Sequence, residues 1–208
     1  MKKIVFPCLA VLLLASCYPT SPTYVQTYDM VITNYNPDFN FSSKQTFAIP
    51  DSVIVVTGDK VDNPNAPLQY VSSAYAALIV NAISSNLTSL GWTRVNKSQN
   101  PDVMLFPAAM QTTYLYYYYD YWYYWDWWYG GYYGWYYPGY YPPVVSSYTT
   151  GTLLVTMVDQ NALTPDQELP VEWTMVINGL LTGDITSASS RISSSIDQAF
   201  KQSQYLAQ

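Results

Sequence analysis

The sequence contains no histidine and only two cysteines, Cys8 and Cys17, among 208 residues. The missing histidine removes the commonest general base and the imidazole ligands of many metal sites. Structural zinc is excluded as well, because neither a cysteine set nor a mixed cysteine and histidine set can be assembled. The phosphate-binding glycine loops G-x-x-x-x-G-K-[ST] and G-x-G-x-x-G are also missing from the sequence. We therefore expect no metal, no cofactor and no enzymatic activity.

Basic residues are scarce, with eight Lys and Arg against 14 Asp and Glu and a net charge of −6. Proteins that bind nucleic acid carry a basic patch or stripe, so we expect no nucleic-acid partner. Anionic lipid head groups would repel this chain. Any contact with a membrane must then come from a lipid anchor or from aromatic side chains.

Residues 1–16 have the pattern of a lipoprotein signal peptide. A basic start is followed by an apolar core over residues 4–14 and by two small residues, Ala15 and Ser16, before Cys17. The alternatives are an ordinary signal cleaved near Ala15 and a short buried helix. We predict that Cys17 becomes the first residue of the mature chain and carries fatty acyl groups such as palmitate. Removal of the signal leaves Cys17 as the one cysteine and brings the net charge to −8.

Residues 17–23 are predicted to form a short lipidated tether between this anchor and the folded domain. Two prolines, Pro19 and Pro22, favour an extended conformation there. The six residues after Cys17 reach only about 20 Å. The folded domain, assigned to residues 24–206, is therefore expected to lie close to the bilayer.

The remaining pattern predicts an α+β domain, a two-layer sandwich with a mostly antiparallel sheet of five or six strands and two amphipathic helices. The predicted strands are residues 24–32, 45–49, 52–57, 102–110, 151–159 and 170–178, with a further short strand that begins at Trp92 and a turn over residues 34–38. In the last strand Val171, Trp173, Met175 and Ile177 are expected to share one face. Apolar residues at helical spacing predict one helix over residues 71–90, with Gly91 as its C-cap. A second helix carries Ile192, Ile196 and Phe200, with Asp184, Thr186 and Ser187 as candidate caps.

Several segments together resemble the family of bacterial envelope lipoproteins known as domain of unknown function 4136. The similarity extends over residues 24–206 and includes FSSKQTFAI at 41–49, LTSLGWTRV at 87–95 with Pro-Asp-Val at 101–103, and GTLLV at 151–155. Trp173 matches a family tryptophan, but Thr174 and Met175 replace the basic residue and glycine that usually follow it. The resemblance implies an α+β envelope lipoprotein and supplies no catalytic residues.

An aromatic tract interrupts this domain, within an insertion assigned to residues 111–148. Fifteen tyrosines and five tryptophans occupy 20 of the 28 positions between Tyr114 and Tyr141. The flanking strands are placed symmetrically about Gly130-Gly131, a pair that favours a two-residue turn. We predict a long hairpin or loop that projects from the sheet, irregular near Pro138, Pro142 and Pro143.

Four roles compete for this tract. It can be a sticky loop without a ligand, a membrane-interface segment, a surface that stacks on peptidoglycan or polysaccharide, or a contact for an envelope protein or a second copy. The sequence leaves the oligomeric state open. The candidate contact residues are Tyr118, Trp122, Trp125, Trp127, Trp128 and Trp135.

Acidic residues cluster in sequence at Asp159, Asp166, Glu168 and Glu172. Paired carboxylates or a calcium site are possible roles for such residues, but their spacing does not match an EF-hand. We interpret the cluster as a solvated hairpin loop.

The sequence thus predicts a non-enzymatic lipoprotein of the Gram-negative outer membrane. Its aromatic segment would contact the membrane interface or a partner, and a glycan-binding module is the alternative. The residues after Cys17, Tyr18 to Thr23, contain no acidic run of the kind that directs some lipoproteins to the cell surface. We therefore expect the periplasmic side of the membrane.

Overall fold

The computed structural model describes residues 30–57, 67–111, 151–159, 161–162, 170–181 and 185–208. Within these ranges the chain forms eight strands, two α-helices and three short 3-10 turns. The strands are β1 (Val31–Tyr35), β2 (Thr46–Ala48), β3 (Ile54–Val56), β4 (Gln69–Tyr70), β5 (Thr93–Arg94), β6 (Val103–Met110), β7 (Thr152–Val158) and β8 (Val171–Ile177). The helices are α1 (Ser73–Ser89) and α2 (Ile185–Gln202).

The strands form one mixed sheet in the order β1-β8-β7-β6-β2-β5, with β3 also beside β6 and β4 beside β3. Four of the seven pairings are antiparallel, and β2 and β3 each run parallel to β6. The α+β class with two helices is confirmed. The sheet has more strands than the five or six expected. The short strand predicted after Trp92 is β5, whereas β4 was not predicted.

Strand β6 lies at the centre of the sheet, and all eight of its residues are buried. On one edge it pairs with β7, from Met104↔Val158 to Met110↔Thr152. On its other edge, the first two residues of β6, Val103 and Met104, pair with β2. The last three residues of β6, from Ala108 to Met110, pair with β3. Pro107 lies between these two contacts, where the neighbour changes. A proline has no N–H for the sheet and is tolerated at such an irregularity.

Both helices pack on one side of the sheet, which we call the first face. Its core joins helix residues such as Ile79, Ile83 and Ile196 to Leu105 and Trp173 of the sheet. In α1 the fully buried positions are Ala76, Ile79, Val80, Ile83 and Leu87. Tyr75, Leu78, Ala82 and Leu90 are partly buried at the border of this stripe.

The end of α1 confirms the predicted role of Gly91. Its φ of +99° lies in the left-handed region, where glycine carries no steric penalty. A Cβ atom at this position would approach the Cβ of Gln208 to 2.8 Å. The Gln208 amide also donates a hydrogen bond to the carbonyl of Leu90 at 2.9 Å. Gly91 therefore both ends the helix and lets the C-terminal residues pack against it.

The opposite side of the sheet, the second face, is apolar as well. Eleven buried side chains form its cluster: Ala48, Ile54, Val56, Met104, Phe106, Ala108, Met110, Leu154, Val158, Val171 and Val176. Two strands that bear this face, β6 and β7, form the antiparallel pair predicted to flank the aromatic insertion. The insertion itself, from residue 112 to 150, lies outside the described residues.

Three expectations about local structure are wrong. Strand β1 extends through Asn34 and Tyr35, which the sequence placed in a turn, because β8 supplies partners up to Trp173. Val171 joins the second face instead of sharing the first with Trp173. A bulge separates Met157↔Trp173 from Val158↔Val171 and reverses the side-chain alternation there. Thr186 and Ser187 lie inside α2, which begins at Ile185, so neither residue caps it.

Candidate functional site

The two ends of the sheet differ in chemistry. The N-terminal segment enters the sheet at one of these ends. Register places Val31, Ile177, Leu153 and Ala109 in one row across β1, β8, β7 and β6. The chain arriving from Cys17 enters β1 in this row, and residues 112–150 leave and return just beyond it. Neighbouring strands are about 4.8 Å apart, so β1 and β6 are separated by about 14 Å. We call this the tether end of the sheet.

Backbone hydrogen bonds close the base of the insertion at the tether end. The Gly151 amide donates to the Met110 carbonyl at 3.0 Å, and the Gln111 amide donates to Val56 at 3.0 Å. The Gly151 carbonyl in turn accepts from the Leu181 amide at 2.9 Å. Gly151 has a φ of +82°, which favours glycine at this position. The insertion is therefore anchored at both of its ends to the central strands.

An apolar cavity of about 230 Å³ lies beside this base. It is lined by Val55, Val71, Tyr75, Ala109, Met110, Gln111, Gly151 and Leu181. Among the described residues of this lining, Tyr75 and Gln111 carry the polar side-chain groups, and the others are apolar or glycine.

The other end of the sheet holds a charged cluster formed by Asn36, Lys44, Asp159 and Glu172. The Lys44 Nζ atom lies 2.7 Å from Asp159 Oδ2. Asn36 Nδ2 donates a 2.9 Å hydrogen bond to Glu172 Oε2. Asp159 and Glu172 are only 4% and 2% exposed. The interpretation of these two residues as parts of a solvated loop is therefore wrong, whereas Asp166 and Glu168 lie outside the described residues.

The bulge between β7 and β8 brings the two carboxylates together. Glu172 is the extra residue between Val171 and Trp173, which pair with consecutive residues of β7. Burial raises the pKa of Glu172 above its ordinary value, and the negative charge of Asp159 acts in the same direction. The Asn36 hydrogen bond and the charge of Lys44 oppose this rise without cancelling it. The charged form of Glu172 is thus disfavoured by folding.

We expect Glu172→Gln to stabilise the domain at neutral pH. Because the pKa of Glu172 is higher in the folded state, folding is most favourable below the ordinary value of 4.5 and loses stability as the pH rises through the raised pKa. Glutamine does not titrate and can still accept the bond from Asn36. Urea unfolding between pH 4 and pH 8 should show that the advantage of the variant is absent below pH 4.5 and grows above it. If the stability advantage of the variant stays constant over this pH range, the pKa of Glu172 is not raised by folding.

Asp102 organises the same end of the sheet by joining β2 to β6. Its Oδ2 atom accepts hydrogen bonds from the Gln45 amide, the Thr46 amide and the Thr46 hydroxyl, at 2.9, 2.9 and 2.7 Å. Burial acts to raise the pKa of Asp102, but these bonds and the charge of Lys44 outweigh it and leave the pKa below its ordinary value. The Pro-Asp-Val segment recognised in the sequence thus aligns two parallel strands.

The residues that the sequence singled out for function lie outside the described residues. They are Cys17, Tyr118, Trp122, Trp125, Trp127, Trp128 and Trp135. The structure instead places their two points of attachment, at Met30 and at Gln111 with Gly151, on the same end of the sheet. Sequence reasoning missed Lys44 and Asn36, because neither stands near Asp159 or Glu172 along the chain.

Within the described part of the chain, no helix is long and apolar enough to cross a membrane. The same residues contain no group of three or more acidic or cysteine side chains arranged to hold a metal ion.

A family model and one solved structure relate the chain to the same family. The model of the family DUF4136, a domain of unknown function, matches residues 31–203. A crystal structure of a DUF4136 family protein from Bacteroides thetaiotaomicron is 26% identical, with a TM-score of 0.61 over 86% of this chain and 97% of that one. A PelC dodecamer from Paraburkholderia phytofirmans has 12% identity and a TM-score of 0.41, over 87% of this chain and 99% of that one. No curated protein matches the sequence.

Proposed function

Since this chain belongs to the DUF4136 family, whose description assigns no activity, we propose a function from the geometry of its own sheet. The protein is a non-enzymatic lipoprotein of the outer membrane, anchored through Cys17 on the periplasmic side. Its aromatic tract, Tyr114 to Tyr141, contacts the bilayer interface beside the anchor.

The position of the tether end supports this proposal. The chain from Cys17 reaches β1 at Met30, and the aromatic tract is attached about 14 Å away across the sheet. Residues 18–29 span at most about 40 Å when fully extended. A lipid on Cys17 therefore keeps the base of the tract within about 55 Å of the bilayer, the reach of the tether plus the distance across the sheet.

The chemistry of the tract also suits the interface. Tyrosine and tryptophan favour the head-group level, where the ring is in contact with apolar chains and its polar group with water. The predicted mature chain carries a net charge of −8, so electrostatic attraction to anionic lipids cannot supply the contact. We assign that contact to Tyr118, Trp122, Trp125, Trp127, Trp128 and Trp135.

Anchoring is tested first, by Cys17→Ala. We expect the variant to retain its signal and to lose lipidation, since no thiol remains for acylation at the processing site. Metabolic labelling with a radioactive or clickable palmitate should label the native chain and leave the variant unlabelled. Cys8→Ala is the matched control, because Cys8 lies within the signal and should not affect labelling. Equal labelling of Cys17→Ala and the native chain would rule out this anchor.

Interface contact is tested with vesicles of zwitterionic phosphatidylcholine that carry brominated acyl chains. Two of the seven tryptophans, Trp92 and Trp173, are only 1% and 0% exposed, so quenching by bromine reports on the five in the tract. We expect the brominated vesicles to quench the tryptophan fluorescence, and vesicles of the same lipid without bromine to leave it unchanged.

The glycan alternative predicts a different result in the same comparison. The native chain would then be retained on purified peptidoglycan or polysaccharide and would lose retention in a variant with Trp125, Trp127 and Trp128 replaced by alanine. Retention of this kind, without quenching by the brominated lipid, would overturn the interface proposal.

A further inference from the structure

A polar cavity of about 480 Å³ lies beyond the ends of β2 and β5. These strands run parallel, and Phe47 of β2 pairs with Arg94 of β5. The chain continues from β2 to β3 and from β5 to β6, so the two connections diverge beside the cavity. Residues 49–51 line it on the β2 side, and residues 94–97 and 99 line it on the β5 side. Ligands bind at such points of divergence in many sheets with parallel strands.

Arg94 is the main hydrogen-bond donor among the residues that line this cavity. Its Nη2 atom donates a 3.1 Å hydrogen bond to the Ile49 carbonyl and lies 2.7 Å from Asp51 Oδ1. Among the described residues these two contacts are the hydrogen bonds of the Arg94 guanidinium, and both use the same nitrogen. The three N–H groups on Nε and Nη1 therefore remain for a ligand. A guanidinium can bind a carboxylate through two parallel hydrogen bonds.

Two amide side chains add further donors to the lining. The Asn96 Oδ1 atom accepts from the Ser98 amide at 3.1 Å and from the Ser98 hydroxyl at 3.0 Å. The Gln99 Oε1 atom accepts from the Asn96 amide at 2.8 Å. Both side-chain oxygens are thus engaged within one turn, which leaves the NH2 groups of Asn96 and Gln99 to bond a ligand. The lining is therefore rich in donors and suits a ligand that is rich in acceptors.

The charge of the lining also favours an anion. Arg94 and Lys97 are the basic residues among those described at the cavity, and Asp51 is the acidic one. Basic residues are rare in this chain, because removal of Lys2 and Lys3 with the predicted signal leaves six of the eight. Two of those six line this one cavity. The cavity therefore concentrates positive charge that is scarce elsewhere in the chain.

We propose that this cavity binds a sugar acid, that is, a carboxylate carried on a hydroxylated ring. The Arg94 guanidinium holds the carboxylate, and the NH2 groups of Asn96 and Gln99 donate to hydroxyl and ring oxygens. Pro50 and Val95 supply apolar contact for the C–H groups of the ring. The cavity volume is within the range of small-molecule sites. The described lining contains no aromatic side chain that could stack on a nucleobase, which argues against a nucleotide.

This site is independent of the lipid anchor and of the aromatic tract, so the inference goes beyond the proposed function. NMR titration of the isotope-labelled full-length protein tests it with D-glucuronate, D-glucose and acetate. We expect D-glucuronate to shift the backbone amides of Asp51 and of residues 94–99, with a dissociation constant on the order of 1 mM.

The other two probes each lack one half of the proposed ligand. D-glucose has no carboxylate and acetate has no ring, so each should bind at least about 10-fold more weakly than D-glucuronate. If D-glucuronate leaves these amides unshifted, or if D-glucose or acetate binds as tightly, the proposal is wrong.

Substitutions of Arg94 test its role in the site. Arg94→Gln should weaken the binding of D-glucuronate at least about 10-fold. Arg94→Lys keeps the charge but loses the paired N–H groups, so we expect a similar loss. Lys201→Gln is the matched control, because it removes one positive charge from an exposed position on α2, outside the cavity. Native affinity in Arg94→Lys, or an equal loss in Lys201→Gln, would reject recognition by the Arg94 guanidinium.

Asp51→Asn gives a result that loss of folding cannot imitate. The Asp51 side chain is 94% exposed, so we expect the substitution to leave the fold intact. It removes a negative charge that competes with the ligand for Arg94. D-glucuronate should therefore bind about 2- to 5-fold more tightly than to the native chain. Unchanged or weaker binding would contradict an anion site at Arg94, because the loss of a neighbouring negative charge must favour an anion.

Discussion

Trp173→Ala is expected to lower the free energy of unfolding by about 3–5 kcal/mol, the usual cost of truncating a buried aromatic residue. Trp173 is 0% exposed in the first-face core. Its ring lies 5.3 Å from that of Phe200 on α2, and its Nε1 atom donates a 3.0 Å hydrogen bond to the Ser203 hydroxyl. One side chain thus joins β8 to the end of α2. Because whole domains are stable by about 5–15 kcal/mol, this loss would bring the protein near its unfolding threshold.

Trp173→Phe is the matched control. Phenylalanine keeps most of the ring packing but cannot donate to Ser203, so the loss should be smaller, about 1–2 kcal/mol. Urea titrations followed by far-ultraviolet circular dichroism measure both variants. Equal losses for the two would mean that the hydrogen bond, and not the packing of the ring, fixes the helix to the sheet.

Lys44→Met is expected to lower the free energy of unfolding by about 2–4 kcal/mol, a loss second to that of Trp173→Ala. Removal of one partner of a buried ion pair costs about 3–5 kcal/mol because the other charge stays buried. Lys44 keeps 21% side-chain exposure, which lowers the cost, but Asp159 keeps only 5%. The Asp159 charge would also remain close to Glu172 without the neutralising ammonium. Urea titration at pH 7 measures the loss.

The double variant Lys44→Met with Asp159→Asn measures how strongly Lys44 and Asp159 depend on each other for stability. Replacement of both charges by uncharged groups of similar size is often neutral or stabilising. We therefore expect the double variant to recover most of the stability lost in Lys44→Met. A double variant as unstable as the sum of the two single ones would show that Lys44 and Asp159 act independently.

The main elements of the fold could be predicted from sequence because their signals are local. The helical spacing of Ile79, Ile83 and Leu87 located α1, and Gly91 marked its end. The buried run over residues 102–110 predicted the central strand. The family resemblance, from short core and turn motifs, is confirmed over residues 31–203.

The errors arose where tertiary pairing overrides a local preference. Asn34 has a low intrinsic preference for strands, yet pairing with Thr174 holds it in β1. Period-two alternation failed at Val171 because a bulge is a property of two paired strands. The same bulge buried Asp159 and Glu172 beside Lys44, which is 115 residues from Asp159 in sequence. No pattern within either segment contains that contact.

The hydrogen bond between Gly151 and Met110 also bears on the order in which the sheet assembles. It closes a loop of 40 residues, 111–150, whereas only residues 159–170 separate β7 from β8. The entropy of closure grows with the logarithm of loop length, so the longer loop costs about 1 kcal/mol more. We expect the β7–β8 hairpin to form first and β6 to join later. Until then β6, the most apolar strand, has an unpaired edge, so the refolding chain is most exposed to self-association at this step.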